Sequence, residues 1–183
     1  EQYNMGFYRG PNIVTDGLIY AIDAGSERSY PGSGTAVTAI TGVGNGTLTN
    51  GAGFNSANGG SWTLDGTDDY IDFGSNFLVP GISQYDTITN FTIDVWVNWD
   101  SFAATGSHDE IISWWKTGGS TYSDGFLGTT RIGGGTAANP VIRFGDGWGN
   151  TGVSFTSATD TGKWFNIVAI KTSNNAYIYI NGV

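Results

Sequence analysis

The stretch SWTLDGTDDYIDFG, residues 61–74, decides how this chain is to be read. Trp62 and Leu64 alternate with polar neighbours, and Ile71 and Phe73 alternate again, on the parity opposite to Tyr70. Between the two runs lies Asp65-Gly66-Thr67-Asp68. Two short period-2 runs flanking an Asp-Gly step read as a β-hairpin. Carboxylates in such a turn accept hydrogen bonds from nearby backbone N–H groups, which gives Asp65, Asp68 and Asp69 a local role.

Working outward, the same period recurs. In FTIDVWVNW (91–99), Phe91, Ile93, Val95, Val97 and Trp99 share one face, and Thr92, Asp94, Trp96 and Asn98 share the other. Strict alternation over this length predicts a strand with one face in a core. Trp96 on the polar face implies a partly covered or exposed aromatic ring. KWFNIVAIKT (163–172) and AYIYIN (176–181) form a second hairpin across Ser173-Asn174-Asn175. EIISWWK (110–116) is a further strand, with Ile111, Ser113 and Trp115 on one side and Ile112 and Trp114 on the other. Short strands are expected at 36–40, 46–49, 125–128, 141–145 and 153–156, and GLIYAID (17–23) reads as the first. Residues 24–60 form a long wrapped loop around those at 36–40 and 46–49, anchored by Arg28, Tyr30, Pro31, Leu48 and Phe54. Many short strands with turn signals between them and no helical period mean an all-β sandwich or barrel.

Composition narrows the function. The 183 residues suit one domain, 17–183, preceded by a polar-aromatic arm over 1–16. The arm is tied to the domain surface or packs on a neighbouring subunit. The net charge is -9, and the seven lysines and arginines stand singly, whereas nucleic-acid binding needs clustered cations. No cysteine is present, so disulfides and thiolate metal sites are excluded. No apolar run approaches the ~20 residues of a membrane span, so no membrane insertion is expected. The chain stops at INGV (180–183), which reads as a turn into another strand, so the natural chain is expected to continue.

Four segments in order, GLIYAIDA (17–24), SWTLDGTDDYIDF (61–73), FTIDVWVNW (91–99) and WFNIVAIKTSNNAYIYINGV (164–183), resemble the laminin G-like branch of the concanavalin A-like sandwiches. RGPNIVTDGLIYAIDAGSERSYPGSG (9–34) with GTLTNGAGFNSANGGS (46–61) is similar to the start of such domains in structural proteins of tailed phages, especially those infecting marine bacteria. The resemblance implies an antiparallel two-sheet jelly roll with loops gathered at its rim. In that family a strand following INGV completes the sheet beside the first strand. Its absence here would leave residues 17–23 an open edge, hence self-association or strand donation.

The candidate chemistry is sparse. Glycosidases of this sandwich carry a Glu-x-Asp-x-x-Glu strand, and here the glutamates are Glu1, Glu27 and Glu110, none in that pattern. His108 is the sole histidine and lies in a Ser-Gly-rich stretch, which argues against a Ser-His-Asp triad. No catalytic residue is assigned. Asp65, Asp68 and Asp69 are candidate ligands for calcium, joined by Asp72 in sequence and by Asp23, Asp109 or Asp124 from elsewhere, with turn capping as the competing role. Laminin G-like relatives often bind calcium at the sandwich rim. Trp114, Tyr122 and Trp148 are candidate sugar-stacking residues, with core or interface packing as the alternative.

The likeness of residues 9–34 and 46–61 to phage structural proteins implies a non-enzymatic structural or display protein of a virus particle, a decoration, fibre or appendage component, with glycan binding for host attachment as a further expectation. Its expected partners are further copies of itself or other virion proteins. The alternative is a secreted or cell-surface lectin-like module.

Overall fold

The computed structural model describes residues 15–42, 44–74, 90–102, 108–114, 125–130, 141–145, 151–154, 157–172 and 175–183. Apart from Thr15 and Asp16, the expected arm lies outside them. The described chain is all-β, with antiparallel strands, one short 3-10 turn at Ala57–Gly59 and one four-residue helical turn, α1, at Ser157–Asp160. It divides into two compact units, Glu1–Ser83 and Gln84–Val183.

In the first unit, β1 (Ala36–Val37), β2 (Gly46–Thr49) and β5 (Tyr70–Asp72) form one sheet in the order β1-β2-β5. A separate pair joins β3 (Gly53–Asn55) to β4 (Ser61–Thr63). This corrects the expected hairpin at 61–74, because its two arms do not pair with each other. Gly53 lies opposite Thr63 and Thr49 opposite Tyr70. The real hairpin is longer: it runs up through 46–55, turns at 56–60 and returns through 61–72. Leu64–Asp69 is an excursion in the returning arm, opposite Asn50–Ala52. Period-2 patterning gives each arm's faces but carries no information about its partner, and a six-residue excursion is too wide for a two-residue turn.

The expected first strand at 17–23 is also corrected: no strand forms there. Its polar groups are met one at a time. Ala21 O accepts from Ile40 N at 2.8 Å, and the Asp23 amide donates to Ser29 Oγ at 3.0 Å. Asp23 Oδ1 in turn accepts from the Gly25 amide at 2.9 Å. Such side-chain bonds compete with a strand ladder and replace it here. The unpaired strand edge inferred for this segment goes with it. Ser29, buried, completes the clasp by donating to Thr38 O at 2.7 Å. A small apolar cluster of Tyr30, Val37 and Leu48 fills this unit, flanked by Phe54, Trp62 and Ile71. Gly25 passes so close to residues 59 and 60 that a Cβ on it would collide with the Gly59 carbonyl.

The second unit contains two sheets. One has the order β10-β9-β8-β7, built from β7 (His108–Trp114), β8 (Gly125–Thr130), β9 (Val141–Gly145) and β10 (Thr151–Ser154). The other is β12-β11-β6, from β6 (Phe91–Asn98), β11 (Trp164–Lys171) and β12 (Ala176–Ile180). The expected hairpin of β11 with β12 forms, with Lys171 opposite Ala176. One apolar cluster draws on both sheets: Leu127, Ile142 and Phe144 from the first, and Phe165, Ile167 and Ala169 from β11 with Trp99. Phe91 meets Phe144 edge-on at 5.8 Å, a ring contact between the sheets. Expected parity fails in one place. The register of β7 against β8 shifts between Glu110 and Ile112, so both Ile111 and Ile112 pack on the cluster. A bulge adds one residue to a strand and so brings two successive side chains to one face.

Ile167 is fully buried on the central strand β11, whereas Trp96 of β6 is 65% exposed. Ile167→Ala is expected to cost about 2–5 kcal/mol, as deletions in packed cores do. Trp96→Ala should stay within about 0.5 kcal/mol of the parent. Urea unfolding followed by far-UV circular dichroism measures both; equal losses would mean that the Trp96 ring is packed.

Candidate ligand-binding face

One face of β6, β11 and β12 serves the core, so period 2 turns the alternate residues outward. On β6 these are Thr92, Asp94, Trp96 and Asn98, all exposed. On β11 they are Trp164, Asn166, Val168 and Ile170, and on β12 they are Tyr177 and Tyr179. Trp96, Trp164, Tyr177 and Tyr179 are large apolar groups left exposed, all on this one face.

The register sets these residues in rows. Asn98 lies opposite Trp164, and Trp96 opposite Asn166. Val168 lies between Asp94 and Tyr179, and Ile170 between Thr92 and Tyr177. Amide and carboxylate groups are interleaved with the rings and held in place. Asn166 Nδ2 donates to Asp94 Oδ1 at 2.7 Å across the β6–β11 pair. Asn181, in the left-handed region at φ 51°, accepts the Asn166 amide on its Oδ1 at 3.0 Å, and its own amide donates to Asn166 O at 2.9 Å. The face therefore offers flat π surfaces beside fixed polar atoms, the combination that small-molecule and sugar sites use. It carries one carboxylate, Asp94, and no lysine or arginine among its described residues.

Of the candidate calcium ligands, Asp65, Asp68 and Asp69 lie together, while the side chain of Asp109 and the whole of Asp124 lie outside the described residues. One oxygen each from Asp65, Asp68 and Asp69 lies within 4.8 Å of the others, on the Leu64–Asp69 excursion. Their hydrogen bonds are those of a capped loop. Asp65 Oδ1 accepts from the Thr67 amide at 2.7 Å and the Asp68 amide at 3.4 Å, and Asp69 Oδ2 accepts from the Asp65 amide at 3.0 Å. Asn50 Nδ2 pins the loop from the other arm by donating to Asp68 O at 2.9 Å. The Thr67 amide is the main cause that holds the Asp65 carboxyl below the usual carboxylate range; desolvation opposes it, and the amides of Asp68 and Asp69 add to it.

Trp114 is the last residue of β7, and its side chain lies outside the described residues, as do Tyr122 and Trp148 altogether. In the first unit, Tyr30, Pro31, Phe54 and Glu27 line a shallow recess of about 230 Å³, below the ~300 Å³ at which ligand pockets ordinarily begin. Among the described residues, no helix is long and apolar enough to cross a membrane.

No family model, curated protein or solved structure matches this chain. The site therefore stands on its own geometry. Sequence reasoning flagged Trp96 and passed over Trp164, Tyr177 and Tyr179. The signal was present in AYIYI, where the tyrosines alternate with core isoleucines. It was obscured at Trp164-Phe165, two adjacent aromatics of which either could have been the inward one.

A carboxyl whose folded pKa is depressed stabilises the fold above its unfolded pKa, and that contribution is lost as pH falls through the folded value. Asp65→Ala is therefore expected to lower the urea midpoint at pH 7. The gap to the parent should close as pH drops below the ordinary aspartate range, ~4. A gap that persists unchanged in acid would show that the loop does not depend on the charge.

Proposed function

We propose that this chain is a non-enzymatic, two-sheet β-sandwich of jelly-roll type that binds glycan on the β6–β11–β12 face. The setting is display on a virus particle as a decoration, fibre or appendage component, for attachment to a host surface. The observation that carries glycan binding is the set of four exposed rings, Trp96, Trp164, Tyr177 and Tyr179, on one polar-flanked face. Sugar rings present C–H groups on their flat sides and hydroxyls at their edges. The first stack on an aromatic quadrupole, and the second meet Asn and Asp side chains.

A non-enzymatic role is supported by the site's single carboxylate. Glycoside hydrolysis needs two carboxyl groups in defined separation, and among the described residues of this face Asp94 is the one carboxylate, bonded to Asn166. The particle setting rests on the likeness of residues 9–34 and 46–61 to phage structural proteins. A secreted or cell-surface lectin would use the same face. Immunogold labelling of purified particles separates the settings: labelled particles support the virion reading, and protein found free or on cells supports the lectin.

The face itself is tested by affinity electrophoresis through gels containing polysaccharides from the host surface. Retardation of the parent is expected, weakened several-fold by Trp96→Ala and by Tyr179→Ala, since one aromatic contact contributes about 0.5–1.5 kcal/mol. Unchanged retardation in both variants, each folded by circular dichroism, would move the site elsewhere.

A further inference from the structure

The rows of the face contain a second regularity. The Asn98–Trp164 row holds one exposed ring, Trp164, and the next row holds Trp96. The row of Asp94, Val168 and Tyr179 holds Tyr179, and the row of Thr92, Ile170 and Tyr177 holds Tyr177. Each of the four rows thus carries a single exposed ring, on β11, then β6, then β12 twice. Successive rows are two residues apart, or roughly 6.8 Å along the strands, so the rings form a ladder about 20 Å long. The face is about two strand spacings wide, close to 10 Å. No wall closes the ladder in the described residues, since both end rows finish in exposed side chains, Asn98 and Trp164 at one end and Thr92 and Tyr177 at the other.

Charge narrows the occupant further. Asp94 is the face's one carboxylate among the described residues, and the whole chain carries a formal net charge of -9. A polymer bearing a carboxylate or sulfate on each sugar would bring repeated negative charge against Asp94 with no cation to meet it, and the chain's field opposes its approach.

Resting on the glycan reading above, we propose that the face selects uncharged glycan polymers and grips several consecutive sugars of an extended chain, laid along the strands, rather than a chain end. A single terminal sugar would cover one ring and leave the rest of the ladder wet. A chain interior lets each row contribute, so affinity grows with the number of sugars until the ladder is filled.

The test uses the full chain in isothermal titration with a length series of neutral β-glucan oligosaccharides, from disaccharide to about hexasaccharide, spanning the ~20 Å ladder. Soluble β-glucan and alginate serve as neutral and polyanionic polymers of comparable size. Light scattering reports the oligomeric state of the parent and of Trp96→Ala. The expected result is affinity rising at least about tenfold along the series, which is about 1.4 kcal/mol. Alginate should bind far more weakly than the glucan at low salt, and Trp164→Ala and Tyr177→Ala, at opposite ends of the ladder, should each flatten the rise. Binding of alginate as tight as that of glucan would overturn the charge selection, and equal affinity across the length series would overturn the ladder; either leaves glycan binding standing. No binding to any oligosaccharide or polymer would overturn both. A parent dimer that Trp96→Ala makes monomeric would identify the occupant as a second copy of this chain and overturn the proposal.

Discussion

Everything in the second unit depends on the double pairing of β11. All eight of its residues pair with β6 on one side, and Ile167–Lys171 pair with β12 on the other, so its side chains have only two directions available. Phe165, Ile167 and Ala169 take the inward direction and fill the shared core with Leu127, Ile142 and Phe144. Once they do, Trp164, Asn166, Val168 and Ile170 must face out, and register sets Trp96, Tyr179 and Tyr177 beside them. A slip of one residue on β11 would turn the core face to water, so burial of the inward set fixes the outer face. The candidate site is the other side of the core, with no loop needed to assemble it.

The first unit solves a different problem. It has only short strands and a small apolar cluster, so much of its backbone must be satisfied by side chains. Ser29 bridges Asp23 to Thr38, and Asn45 Oδ1 accepts the Ala39 amide at 3.0 Å. Tyr30 caps its own loop by donating to Gly34 O at 2.7 Å. Two aspartates of the Leu64–Asp69 excursion belong to the same economy: Asp65 Oδ1 and Asp69 Oδ2 accept from backbone amides. This explains a polar, weakly charged composition in terms of local structure, because buried backbone groups need partners wherever ladders are short.

The functional argument follows from where the structure leaves apolar area exposed. Isolated exposed hydrophobics are ordinary on protein surfaces. Four rings on one face, interleaved with asparagine and aspartate and with no lysine or arginine among the described residues, form a patch with its own chemical character. The carboxylate cluster on the excursion is the more conspicuous feature in the sequence, yet its hydrogen bonds show it holding its own loop together.

The all-β class, strands β2, β6, β9, β11 and β12, and the gathering of Asp65, Asp68 and Asp69 were all legible in the sequence. Each rests on local information: period 2, turn residues, or proximity along the chain. Partner choice was not legible. The two runs of 61–74 looked like partners and instead pair with 46–49 and 53–55, because alternation marks faces and says nothing of which edge meets which. Residues 17–23 had a strand's composition, but Ser29, six positions beyond Asp23, takes the amide that a ladder would have used. The ladder of rings, finally, required the register of three strands from two distant segments. Trp96 and Asn166 are 70 residues apart in the chain, and only tertiary pairing makes them neighbours.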